Sequence, residues 1–118
     1  MAKLLAAHMP DDLVRDLDGV VRTIIRIANP ELVILFGSYA EGTARDDSDV
    51  DLLVVDGSGD PAPLGSRLGN AIQPLLGHRQ LDLLVVKSAD WPGAKGRHGC
   101  VTYEANRTGL RLYDRASP

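Results

Sequence analysis

Between residues 10 and 28 the apolar side chains of Leu13, Leu17, Val20, Val21, Ile24, Ile25 and Ala28 fall at spacings of three and four. This is the spacing of one face of an α-helix. Pro10 suits a first helical turn, Asp11 and Asp12 suit its positive end, and Asn29-Pro30 stops it. The period then changes. Residues 32–36 (LVILF) are a short apolar run that predicts a buried strand and ends abruptly at Gly37-Ser38. A short helix is expected through Tyr39, Ala40 and Glu41 before Gly42. Residues 50–55 and 81–86 predict a second and a third strand, with Asp49 at the head of the second. Between them Leu64, Leu68, Ile72 and Leu75 or Leu76 define a second amphipathic helix that ends or kinks near Pro74. Beyond the third strand, Trp91-Pro92-Gly93 marks a turn, residues 100–106 a helix and 110–113 a short strand or extended tail.

This order predicts an α/β (α+β) domain with a small mixed central β-sheet flanked by helices. The second and third strands are apolar at both alternating sets of positions, so the sheet should be covered on both sides, or nearly so. One domain over residues 1–118 is expected: an N-terminal helix about 10–28, a core about 31–86, and a C-terminal helix and tail over 88–118. A chain of 118 residues, 44% hydrophobic and with net charge −3, can build such a core and does not have the composition of a disordered segment. Its one cysteine, Cys100, leaves no partner for an intrachain disulfide and no Cys-rich zinc site. No apolar run reaches the ~18–20 residues of a membrane span, and no signal-peptide pattern opens the chain. A cytoplasmic location without membrane association is the expectation. A pI near 5.5 argues against direct nucleic-acid binding.

The charge is unevenly placed. Residues 41–60 carry Glu41, Asp46, Asp47, Asp49, Asp51, Asp56 and Asp60 against Arg45 alone, whereas residues 87–118 are net basic. Asp46, Asp47, Asp56 and Asp60 suit a solvated loop. Asp49 and Asp51 do not, because they sit two apart at the head of an apolar strand and so share a face. Asp82, flanked by leucines in the third strand, would join them if that strand lies beside the second. Carboxylates pointing together repel, and no Lys or Arg lies within three residues of Asp51, so a hard divalent cation such as Mg²⁺ is the expected counter-charge. Three carboxylates around two metal ions suit in-line phosphoryl or nucleotidyl transfer. Gly37 would let a phosphate approach the backbone, and Ser38 would offer it a hydroxyl and backbone N–H groups. No Walker-type P-loop occurs.

Residues 37–51 fit the pattern G-S-x10-D-x-D, and the string GSYAEGTARDDSDVDLLVV resembles the signature of the DNA polymerase β-type nucleotidyltransferase superfamily, in particular the small, stand-alone minimal nucleotidyltransferases. The likeness spans about residues 31–86. It implies the polymerase β-type nucleotidyltransferase fold, with Asp49, Asp51 and Asp82 as catalytic metal ligands, Gly37 and Ser38 as phosphate contacts, Mg²⁺, and a nucleoside triphosphate, usually ATP. It further implies a partner: a HEPN-domain ribonuclease toxin whose tyrosine receives AMP, with the transferase as antitoxin. Glu41 stands where many such relatives carry Arg.

The remaining candidates have plainer roles. Ser48 is expected to hold the turn before the second strand. His8, His78 and His98 show no ligand spacing and are surface or structural residues. Cys100 is expected as a small core residue, and Trp91, Tyr103 and Tyr113 as packing groups or partner contacts. The leading expectation is therefore transfer of NMP, chiefly AMP from ATP, to a protein hydroxyl. The rivals are a non-catalytic module that neutralises a partner by contact, and a small-molecule (antibiotic-type) nucleotidyltransferase whose pocket is completed by homo- or hetero-oligomerisation.

Overall fold

The computed structural model describes residues 9–117; His8, expected as a surface or structural residue, lies outside them. The elements are α1 (Asp11–Ile27), β1 (Pro30–Phe36), α2 (Ser38–Glu41), β2 (Val50–Asp56), α3 (Pro61–Ile72) continued by a 3₁₀ turn (Gln73–Leu76), β3 (Leu81–Lys87), α4 (Trp91–Lys95), α5 (Val101–Thr108) and β4 (Leu110–Asp114). The four strands form one mixed sheet in the order β3-β2-β1-β4, with β1 antiparallel to both β2 and β4, and β2 parallel to β3.

Alternation along each strand sorts the side chains onto two faces. Val33 and Leu35, Val50, Leu52 and Val54, and Leu81, Leu83 and Val85 meet Leu13, Leu17, Val20 and Ile24 of α1 and Leu64, Leu68 and Ile72 of α3 in the larger core. Leu32 and Ile34, Leu53 and Val55 turn to the opposite face. There Phe36, Leu84 and Val86 join them, and Trp91 and Ala94 of α4 and Ala105 of α5 cover them. β1 and β2 are therefore central strands. β3 is an edge strand, and its apolar side chains are only half-buried.

The C-terminal region departs from the sequence expectation at two points. The 88–118 region holds two helices, not one: Pro92 in the first turn of α4 is a favoured helical position, and Trp91 is buried under the sheet. Cys100 is the half-buried N-cap residue of α5 and does not lie in the core. Of the two forms expected for residues 110–113 the chain takes the strand, which completes the sheet edge beside β1. Among the described residues, no helix is long and apolar enough to cross a membrane.

Candidate active site

The end of β1, the head of β2 and the head of β3 meet along one row of the sheet. Phe36 pairs with Asp51, and Asp51 pairs with Asp82. Neighbouring strands stand about 4.8 Å apart, so the turn after Phe36 and both carboxylates fall within roughly 10 Å. All three side chains lie on the face that α4 and α5 cover only further along the strands.

Gly37 leaves β1 at φ +77°, ψ −154°, a conformation that side-chain-bearing residues avoid. A Cβ at this position would run into the Asp51 carboxylate. The backbone therefore closes directly over Asp51, which only glycine permits. Ser38 opens the single turn of α2, and Gly42 closes that turn in the left-handed region. Residues 42–49 then carry the chain from α2 to β2. Ser48 holds this loop as expected: its hydroxyl accepts the Arg45 N–H at 2.7 Å, and its own N–H donates to the Arg45 carbonyl at 3.0 Å. Asp46, Asp47 and Arg45 are exposed there.

The Asp51 carboxyl is pushed up to about 6. Burial is the largest cause, followed by the charge of Asp82, a proton-sharing hydrogen bond with Asp82 and the charge of Asp49. Asp82, opposite Asp51 in the ladder, is thus the acid that acts on it most. Asp49 is exposed, precedes the first residue of β2 and reaches Asp51 only through its charge. Among the described residues, no three His, Cys, Asp or Glu side chains close up into a ready-made metal cage. Asp82 was expected inside an apolar strand; on the sheet edge it is exposed.

Sequence reasoning missed the clamp behind this row. Arg79, only 7% exposed, donates from Nε to the Tyr39 hydroxyl at 3.1 Å and from a terminal nitrogen to Asp12 at 3.2 Å. The Tyr39 hydroxyl in turn donates to the Arg45 carbonyl at 3.3 Å. Burial works against the Arg79 charge, but the bonds to Tyr39 and Asp12 outweigh it, and the Arg79 pKa is raised. The hydrogen bond from Arg79 is the chief reason the Asp12 carboxyl lies below the usual carboxylate range. Gln73 fixes the same turn, donating to the Arg79 carbonyl at 2.7 Å and accepting the Leu81 N–H at 2.9 Å. α1, α2, the 42–49 loop and the head of β3 are tied together through one guanidinium. Residues 12, 39 and 79 share no period or motif, so no linear signal marks them as a set.

A cavity of about 540 Å³ lined by Leu32, Trp91, Lys95 and Arg111 lies toward the other end of β1, away from the acids. The acid row itself is an open shelf.

This row of glycine, serine and acids is the candidate site of the fold. The nucleotidyltransferase domain model matches residues 17–90, well over half of the chain, and the protein belongs to that family of enzymes. No curated protein matches it in sequence. Among solved structures it is similar to a candidate minimal nucleotidyltransferase, at 28% identity over 89% of this chain and 98% of that one, with a TM-score of 0.64. Two further structures share the fold. One is a toxin–antitoxin crystal structure with AMP-PNP (20% identity, 85% and 75% covered, TM-score 0.61). The other is a candidate nucleotidyltransferase from Sulfolobus solfataricus (18%, 86% and 80%, TM-score 0.53).

Proposed function

We propose that this nucleotidyltransferase moves AMP from ATP to a protein hydroxyl, a tyrosine of a HEPN-type ribonuclease toxin, and so acts as an antitoxin. The observation that carries the chemistry is the Asp51–Asp82 pair in register across β2 and β3, with Gly37 closed over Asp51. The fold shared with a toxin–antitoxin structure with AMP-PNP supports the adenine nucleotide and the toxin partner.

The donor set fits Mg²⁺. Burial and then the charge of Asp82 push the Asp51 carboxyl up to about 6, no ion pair to Lys or Arg neutralises either carboxylate among the described residues, and both offer hard oxygen ligands on an open shelf. Asp51 and Asp82 would hold it, with Asp49 at the rim. Bound there, a divalent cation neutralises phosphate charge and lowers the pKa of the attacking hydroxyl. Gly37 leaves room for the triphosphate beside Asp51, and Ser38 offers its hydroxyl and N–H. The acceptor oxygen attacks the α-phosphorus, a new P–O bond forms, and the bond to the bridging oxygen breaks with release of pyrophosphate. Asp82, exposed on the shelf, accepts the hydroxyl proton. The shelf is open above the acid row, which suits an acceptor supplied by another protein.

The test is purified protein with Mg²⁺, ATP labelled at the α-phosphate and a co-expressed HEPN-type toxin. Label on a toxin tyrosine, release of pyrophosphate, and loss of both with Asp51→Ala are expected. Toxin neutralised equally well by Asp51→Ala without label would leave contact alone as the mechanism.

A further inference from the structure

The two edges of the sheet are finished differently. β4 carries the Arg111–Asp114 ion pair at 3.0 Å and a register shift against β1, both of which discourage further pairing. β3 is seven residues long, regular against β2, and uncharged and free of proline from Leu83 to Val86. Such an edge is a template for another strand.

Its free hydrogen-bonding groups can be counted. Val50 donates to the Gln80 carbonyl at 2.8 Å and Ser88 donates to the Asp56 carbonyl at 3.0 Å, so the even-numbered residues of this segment face β2. In a ladder the odd-numbered residues then face outward. At the two ends, outward groups are already sealed: the Leu81 N–H by Gln73 Oε1, and the Lys87 carbonyl by the Asp90 N–H at 3.0 Å. Among the described residues, three donors (Leu83, Val85 and Lys87 N–H) and three acceptors (Leu81, Leu83 and Val85 C=O) remain without a partner.

We infer that β3 pairs with β3 of a second copy, antiparallel, about a two-fold axis through Leu84. In that register Leu83 faces Val85 of the other copy and the two exchange both bonds, twice over. Lys87 N–H donates to the Leu81 carbonyl of the other copy, again twice. Every free donor meets a free acceptor, and the two sealed groups are the two this register does not need. The match holds because the sealed Leu81 N–H of one copy faces the sealed Lys87 carbonyl of the other, so neither seal leaves a partner unmatched. Residues directly opposite are Leu84 with Leu84, Asp82 with Val86 and Leu81 with Lys87, so no like charges face each other. The product is one continuous eight-stranded sheet. Val86 of the second copy then flanks Asp82, walling an otherwise open side of the acid row.

The experiment is mass measurement by light scattering on the full chain, combined with residue-resolved amide exchange. A particle of twice 12.7 kDa is expected, with the Leu83, Val85 and Lys87 amides protected and losing protection on dilution. Val85→Pro removes an outward N–H without touching the β2 ladder, and should yield a folded monomer. If it fails to fold, Leu84→Lys sets two ammonium groups against each other on the axis and should also yield a monomer. A monomer at NMR concentration overturns the proposal. If the three amides are protected in that monomer, another segment of the same chain covers the edge. A dimer that survives both substitutions places the interface elsewhere and overturns it equally.

Discussion

Asp51 and Asp82 stand directly opposite one another in the parallel β2–β3 ladder, and the Asp51 carboxyl, pressed first by burial and then by this neighbour, is pushed up to about 6. Its ordinary value is 3.8. Between those values the folded protein binds more protons than the unfolded chain, so the metal-free protein loses stability as pH rises through this window. Calorimetry of metal-free protein from pH 4 to 8 should show this slope. Asp51→Asn should remove it and raise the melting temperature above pH 6, while reducing transfer by at least ~100-fold, the scale for losing one transition-state stabiliser. An unchanged slope in the variant would separate the Asp51 titration from stability.

Gly37 is the second point at which the site depends on one residue. At φ +77° a side chain is strained by about 1–3 kcal/mol, and here the Cβ also meets the Asp51 carboxylate. Gly37→Ala should therefore lower the urea midpoint and displace Asp51. Gly42, also left-handed but at the far end of α2, offers the comparison. Gly42→Ala should cost stability and leave nucleotide affinity nearer the parent value. Equal loss of affinity in both variants would argue against a specific Gly37–Asp51 contact.

The acid row was legible in the sequence because its parts are local. Gly37-Ser38 follows one apolar run, Asp49 and Asp51 head the next, and alternation fixes which of them share a face. Other features depend on contacts between distant segments. β3 has apolar residues at both alternating sets, which suggested a strand covered on both sides, and only its place in the strand order makes it an edge. Asp56 was expected in a solvated loop with its acidic neighbours. It is instead 2% exposed, because the turn after β2 folds its side chain against the end of α1. The Arg79 clamp joins residues 12, 39 and 79, whose proximity is a property of the fold alone.

That clamp predicts a stability effect reaching the 42–49 loop. Tyr39→Phe removes the acceptor for the buried Arg79 Nε and the donor to the Arg45 carbonyl. Asp12 still pairs the guanidinium, but leaving its buried Nε–H without an acceptor costs about 1–3 kcal/mol, readable in urea denaturation. The 42–49 loop loses its side-chain tie to α2 in the same step, so KM for nucleotide should rise more than kcat falls. A variant as stable as the parent would show that the clamp carries no net energy.

Asp56 supplies the matching control at the opposite end of β2. Its carboxylate accepts the Asn29 N–H at 2.8 Å and the Ser58 N–H at 2.6 Å, joining the end of α1 to the turn that leads into α3. Asp56→Ala orphans these donors and should cost about 1–3 kcal/mol, comparable with Tyr39→Phe. It stands five positions along β2 from Asp51, or about 17 Å of extended strand, clear of the acid row. KM and kcat should therefore stay at the parent values at temperatures where the variant is folded. If Asp56→Ala and Tyr39→Phe changed KM alike at equal stability, the kinetic effect at Tyr39 would be one of general loosening and not of the 42–49 loop.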